Sequence, residues 1–244
     1  MTSKDKSDIL YFKEVISLMV YKNTVKARFL SRPNRFIAYA ELNGETVTAH
    51  VKNTGRCREL LTSNADVILE KSENQSRKTP YDLVAVYKNG VLINMDSQAP
   101  NAVFGEWLKK TDFFGEISLV RPEFKYKNPR FDFYLEAGER KIFVETKGVT
   151  LEENGIVMFP DAPTERGVKH LKELCEAAEE GYEAYVFFII QMEKCKYFVP
   201  NERTHKEFAD TLRLAAERGV NVKAVCCNVS ENSLEISDFA EIRL

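Results

Sequence analysis

Hydrophobic periodicity changes once along this chain, near Ala99-Pro100, and that change does most to limit the folds open to it. Upstream, apolar and polar residues alternate. Thr24–Phe29 and Arg35–Ala40 both alternate, and Asn43-Gly44 marks a tight turn before Glu45–Val51. Asp66–Glu70 and Tyr81–Tyr87 follow, and Asn89-Gly90 leads into Val91–Asn94. Five to six short strands in about seventy residues is the scale of an OB-type barrel. Downstream, helices enter. Asn101–Lys110 reads as a helix with Val103, Trp107 and Leu108 on one side. Strands are expected near Glu123–Tyr126, at Arg130–Glu136 and at Lys141–Val149. Pro163 opens a helix whose apolar positions are Val168, Leu171, Leu174, Cys175 and Ala178, with Gly181 closing it. Ala184–Met192 is continuously apolar, the mark of a strand covered on both faces. A helix at Glu207–Arg218 and a strand at Val220–Val229 complete the pattern. The expected fold class is α+β: an extension over residues 1–21, an OB-like barrel over 22–97 and an α/β domain over 98–244.

The chain is long enough to close a real core without staples, since 244 residues bury roughly 70–75% of their unfolded surface. The longest apolar run, Ala184–Ile190, is far short of the roughly 20 residues that span a bilayer. Ile9–Tyr21 is interrupted by Lys13, Glu14 and Ser17, and no small-residue cleavage site follows, so it does not read as a signal peptide. The five cysteines are scattered and form no C-x-x-C, so neither a disulfide framework nor a zinc site is expected. Together these features lead to the expectation of a cytoplasmic protein.

A net charge of -2 conceals an asymmetry: residues 1–98 carry 15 basic and 11 acidic side chains. No acid falls between Val15 and Ala40, while Lys22, Lys26, Arg28, Arg32 and Arg35 do, and Lys52, Arg56 and Arg58 follow. Such a cluster can neutralise several phosphates. A solvated face is the commoner meaning of a charge run.

Arg130–Lys147 carries the chemistry. With Gly138-Glu139 as the turn, Phe133 faces Val144 and Leu135 faces Ile142 on one apolar side. Asp132 then stands opposite Glu145 on the other side, with Lys147 two residues along. Opposed Cβ atoms lie about 4.5–5.5 Å apart. Two carboxylates that close must share a proton, find a cation or bind a metal. Their oxygens suit Mg²⁺ or Mn²⁺, and a neighbouring ammonium can stabilise charge on a phosphoryl oxygen. By pattern alone, a surface hairpin with Lys147 bridging Glu145 is the more common meaning of such a segment.

Several ordered blocks carry a resemblance. They are Phe29–Phe36, Asn53–Leu61, Lys78–Leu83, Asp96–Asn101, Arg130–Phe133, Val144–Leu151 and, most specific, Phe159-Pro-Asp-Ala-Pro-Thr-Glu-Arg-Gly167. From about Val25 onward the chain resembles the sugar fermentation stimulation protein family. The resemblance implies an N-terminal OB-like domain, a C-terminal PD-(D/E)xK nuclease-like domain, DNA binding and a role in regulating sugar metabolism. The nuclease pattern falls on Asp132, Glu145 and Lys147. Thr146 departs from it, standing where an apolar residue is usual.

Further candidates attach to this reading. Relatives of the nuclease fold supply a metal-binding Glu from the preceding helix, which points to Glu106. Gln191, at the end of the apolar strand, is placed to face a substrate. Asp161 and Arg166 bracket a helix start, where Arg166 pairs with phosphate or Asp161 simply caps. Arg32, Arg35, Arg56 and Arg58 are the expected DNA phosphate contacts, with Phe36 and Tyr39 as stacking faces. His50, His170 and His205 have no partner at triad or ligand spacing and receive no catalytic role. Backbone contacts with weak sequence preference are expected. The expected activity is a Mg²⁺- or Mn²⁺-dependent deoxyribonuclease. The competing function is a non-catalytic DNA-binding regulator, and OB-type surfaces also take RNA. A homodimer is a plausible assembly.

Overall fold

The computed structural model describes residues 19–53, 55–74, 76–127 and 130–244. The expected extension lies outside these except for Met19–Tyr21. Six strands come first: β1 (Thr24–Asn34), β2 (Ile37–Leu42), β3 (Glu45–Val51), β4 (Asp66–Lys71), β5 (Tyr81–Lys88) and β6 (Val91–Asn94). Strands β1 to β5 pair in the cycle β1-β2-β3-β5-β4-β1, which closes a five-stranded barrel; β6 adds to β5. The Asn-Gly turns work as their chemistry requires. Asn43 and Gly44 both have positive φ, as do Asn89 and Gly90, the geometry that joins twisted antiparallel strands. Arg35 and Phe36 form the β1–β2 turn rather than the start of a strand. The barrel interior is small and apolar: Ala27, Ala38, Ala40 and Ala49 let the strands approach, and Val67, Leu69 and Leu83 fill the centre.

The second half begins with α1 (Ala99–Lys110), which has Pro at its start, where a missing N–H costs nothing. Strands β7 (Ile117–Lys125), β8 (Arg130–Ala137) and β9 (Arg140–Val149) follow. A short hairpin, β10 (Leu151–Glu153) and β11 (Ile156–Phe159), leads to α2 (Glu165–Glu179). Then come β12 (Glu183–Ile190), β13 (Tyr197–Pro200), α3 (Glu202–Glu217), β14 (Asn221–Val229) and β15 (Leu234–Phe239). The main sheet has the order β15-β14-β12-β9-β8-β7, with β12 parallel to both its neighbours. A second sheet, β10-β11-β13, is separate. Periodicity does not announce these short strands, because three or four residues are too few to display a period; β15, six residues long, is also absent from the sequence reading.

β12 is central, and its alternation divides the core. Ala184, Val186, Phe188 and Ile190 pack with Val168, Leu171 and Leu174 of α2. Tyr185, Phe187 and Ile189 pack with Val103, Phe104 and Leu108 of α1. The apolar run therefore reports a strand buried on both faces, as expected. All five cysteines are free, and all but Cys195 are buried. No helix among the described residues is long and apolar enough to cross a membrane.

Candidate functional site

The β8–β9 hairpin turns at Gly138-Glu139, and Phe133 faces Val144 while Leu135 faces Ile142. The hydrophobic pattern thus selects the expected register. Phe133, Leu135, Ile142 and Val144 belong to the core under α1, and Tyr134 and Phe143 belong to the core under α2. Alternation then turns Glu145 and Lys147 toward α2 and Thr146 toward α1.

Asp132 departs from that alternation. Phe131 joins the same core as Tyr134, although the two are three positions apart, an odd step. Pairing between β8 and β9 ends at Phe133–Val144. Beyond it the Asp132 carboxylate substitutes for a strand partner. Its Oδ2 accepts the Thr146 backbone N–H at 2.8 Å and lies 3.0 Å from the Thr146 hydroxyl. Its Oδ1 accepts from Asn101 Nδ2 at 2.9 Å. The Thr146 hydroxyl also reaches Asn101 Oδ1. The expectation that Asp132 stands on Glu145's face is corrected accordingly: its carboxylate fills the gap where the strands part. Burial first, and the charge of Glu145 second, hold the Asp132 carboxyl above its usual value. The two acids are therefore within electrostatic reach. Thr146, the departure from an apolar residue, is what fastens Asp132 and Asn101 together.

Glu145 is buried at 2% exposure. Its Oε1 accepts from Lys147 Nζ at 2.5 Å and from His170 Nδ1. Its Oε2 is buried and accepts nothing among the described residues. Burial pushes this carboxyl up, but the Lys147 charge and the His170 hydrogen bond outweigh it and hold the group below its usual value. One acid is thus held up and the other down, the arrangement that gives neighbouring carboxyls different tasks. An orphaned carboxylate oxygen in a buried site is costly unless something positive meets it. The donor set is all oxygen, which fits a hard divalent cation.

The spacing of the sequence gives His170 no catalytic partner, yet it lies against Glu145, and Arg166 donates from Nε to its Nε2 at 3.2 Å. Arg166 and His170 are one helical turn apart on α2, and His170 falls among the apolar, sheet-facing positions. A buried polar residue on such a face has to find a partner, which is the signal that was available.

The other candidates are placed differently. Glu106 lies about 7.5 Å along α1 and about 140° round from Asn101. Its carboxyl is held up by burial and bonded to the Met19 backbone, near Lys110 and Glu235. The structure does not bring it to Asp132 or Glu145; Asn101 is the α1 residue that reaches the site. Gln191 is 1% exposed. Its Nε2 donates to Asn94 Oδ1 at 2.8 Å and to the Asp96 carbonyl at 3.0 Å, so it braces the junction between barrel and α/β domain. A Cβ on Gly148 would meet Gln191 Oε1 at 2.5 Å and Pro100 Cγ at 2.8 Å. Glycine is what lets β9 pass beneath α1 here. Thr164, not Asp161, caps α2, accepting the Gly167 N–H at 3.0 Å.

A cleft of about 670 Å³ lies between the barrel and the α2 approach, lined by Arg32, Arg35, Arg56, Arg58, Ala162 and Pro163 among others. Arg35, Arg56 and Arg58 are exposed. Arg32 is not free to bind phosphate. Its Nη1 donates to the Gly55 and Arg56 carbonyls at 2.9 Å, and its Nη2 to those of Arg35 and Asn53 at 2.7 Å. It fastens the loop that displays its neighbours. Phe36 and Tyr39 are exposed at 51% and 39%.

A second group with metal-ligating side chains, Glu165, His205 and Glu207, lies near the start of α2. His205 Nδ1 accepts the Thr164 N–H at 3.2 Å, so the ring hydrogen sits on Nε2. Both nitrogens are thereby occupied, and the group does not fit a cation.

Comparison with known proteins places these features in context. Residues 98–233 match the model of the sugar fermentation stimulation protein RE domain, and residues 30–95 match that of the SfsA N-terminal OB domain. A sugar fermentation stimulation protein homolog of Clostridium beijerinckii is 55% identical over 226 residues, 93% of this chain and 100% of the relative. One from Desulfitobacterium hafniense is 56% identical over 226 residues, 93% of this chain and 99% of the relative. The structure of Pyrococcus furiosus SfsA in complex with Ca²⁺ superposes with a TM-score of 0.81 at 25% identity, covering 93% of this chain and 99% of that one.

Proposed function

The chain belongs to the sugar fermentation stimulation protein family, and from that premise we propose that it is a DNA-binding, divalent-metal-dependent phosphodiesterase centred on Asp132, Glu145 and Lys147. The observation that carries the reading is the buried Oε2 of Glu145, without a partner among the described residues and within electrostatic reach of Asp132. That the Pyrococcus furiosus relative was crystallised with Ca²⁺, a hard oxygen-seeking ion, supports the same chemistry here. Mg²⁺ or Mn²⁺ is the proposed working ion, and Asp132 and Glu145 would hold it.

When bound, such a cation makes water a better nucleophile and offsets charge growing on a phosphoryl oxygen. The protein's own residues supply the rest. Asn101 and Thr146 fix the orientation of Asp132. Lys147, 14% exposed at its side chain, has its ammonium at the edge of the site. It holds Glu145 at rest and offers its remaining hydrogens to a phosphoryl oxygen as charge develops. Arg35, Arg56 and Arg58 contact backbone phosphates from the barrel side, which gives salt-sensitive binding with weak sequence preference.

The test is incubation with plasmid, branched and single-stranded DNA in Mg²⁺ and in Mn²⁺. Cutting should be lost in Asp132→Ala and Lys147→Ala. Cutting that persists unchanged in both belongs to another protein and removes the enzyme reading. The second reading, a DNA-binding regulator that does not cut, rests on the arginine-lined cleft alone. It predicts salt-sensitive binding with no metal-dependent product, and RNA competing equally would redirect it to RNA.

A further inference from the structure

Resting on the metal reading above, we propose that His170 is a positioning residue: it clamps Oε1 of Glu145 so that Oε2 alone faces the cation, with Arg166 donating to the ring's other nitrogen.

The hydrogen-bond chain fixes the proton positions. An arginine has donors and no acceptor. Arg166 Nε donates to His170 Nε2 at 3.2 Å, so Nε2 must present its lone pair. A neutral imidazole then carries its hydrogen on Nδ1, and Nδ1 faces Oε1 of Glu145. An imidazolium would oppose one N–H to another at Arg166. The opposite tautomer would do the same and would also turn a lone pair on the Glu145 oxygen. Arg166 and Glu145 therefore select the same form.

The effect on Glu145 follows. Oε1 is held by Lys147 at 2.5 Å and by His170, from different elements. With that oxygen clamped the carboxylate cannot rotate, and the oxygen left over is the buried, unpartnered Oε2. Hydrogen-bonding partners behind a metal ligand commonly set its orientation, and their loss costs about 10–100-fold in metal affinity. Lys147 alone would leave a pivot, since a single ammonium is a compact point charge on a flexible stem.

The histidine's geometry supplies a discriminating series. The amide nitrogen of asparagine occupies nearly the position of imidazole Nδ1, whereas leucine keeps bulk and loses the donor. Native protein, His170→Asn, His170→Leu and Arg166→Ala are compared by Mn²⁺ calorimetry, by thermal melting and, metal-free, by long-range ¹H–¹⁵N NMR of the histidine ring. Expected is an Nδ1–H tautomer for His170 in native protein, kept in Arg166→Ala because the Glu145 carboxylate still accepts from that nitrogen. Mn²⁺ affinity in His170→Asn should stay within about threefold of native, and in His170→Leu fall about 10–100-fold, with both variants melting cooperatively. Native affinity in His170→Leu, an equal loss in His170→Asn, or an Nε2–H tautomer in native protein overturns the proposal. Native protein that takes up no Mn²⁺ overturns the metal reading itself, and this proposal with it. The native arm separates that failure from the others.

Discussion

The carboxylate of Asp132 accepts the backbone N–H of Thr146 at 2.8 Å, and Thr146 is the residue between Glu145 and Lys147. A side chain from one strand thus occupies a backbone hydrogen-bonding position on the next, and it does so between the other two members of the proposed centre. The site is made where ordinary strand pairing stops.

The position of Asp132 implies a stability cost. Its carboxyl is held above its usual value, so at pH 7 folding must keep charged a group that burial and Glu145 both disfavour. A carboxyl raised in the folded state binds more protons there than when unfolded, so stability falls as pH rises from the unfolded value through the folded one. Asp132→Asn removes the charge and keeps the shape, its amide oxygen toward the Thr146 N–H and its amide nitrogen toward Asn101, whose own amide can turn to accept. It should raise the melting temperature at pH 7, with the gain shrinking as pH falls toward 4, and it should abolish Mn²⁺ uptake. An unchanged or lower melting temperature at pH 7 contradicts the assignment.

Glu145 has the opposite sign. It is held low against burial chiefly by the charge of Lys147. Its contribution is present above the unfolded value and is lost as pH falls through the folded one. Lys147→Met should therefore raise the midpoint of acid unfolding. In a cleavage assay the same variant should lose about 10²–10³ in kcat, the scale of removing one charge-stabilising donor, while Mn²⁺ still binds. Loss of metal together with activity would make Lys147 a support for Glu145 and nothing more.

The arginines of the cleft should separate into two kinds. Arg32 holds four carbonyls, so Arg32→Ala should cost about 2 kcal/mol or more in chemical denaturation. Arg56→Ala and Arg58→Ala should leave stability within about 0.5 kcal/mol. Each should instead lower the slope of log K for DNA against log salt by about one. Equal effects of all three on stability would contradict the division.

Gly148 tests how α1 is seated. An alanine there would press on Pro100 Cγ at 2.8 Å, beside Asn101. Overpacking of this kind costs about 1–3 kcal/mol, and displacement of Asn101 should weaken Mn²⁺ binding as well. A Gly148→Ala protein with native melting and native metal affinity would show that α1 yields without consequence.

Much of this was legible in the sequence because it depends on period and parity. The Asn-Gly turns, the doubly covered β12 and the β8–β9 register each follow from which positions are apolar. The register in turn named Asp132, Glu145 and Lys147. What parity could not reveal was the break at Asp132, because alternation assumes a strand that continues, and here the strand partner is a side chain. Nor could it find Asn101 or His170, which reach the site from helices on opposite sides of the sheet. Glu106 was attractive as an acid on the right helix, but helical rotation takes it to the Met19 side. Arg32 counted as one charge among several. Only the three-dimensional loop shows its donors already engaged.

The most direct measurement is a crystal of the native protein soaked in Mn²⁺, with anomalous scattering recorded. One peak shared by the Asp132 carboxylate and Oε2 of Glu145 is expected, absent in Asp132→Asn. A protein that takes no Mn²⁺ there, or that places its ion away from both carboxylates, would contradict the metal reading.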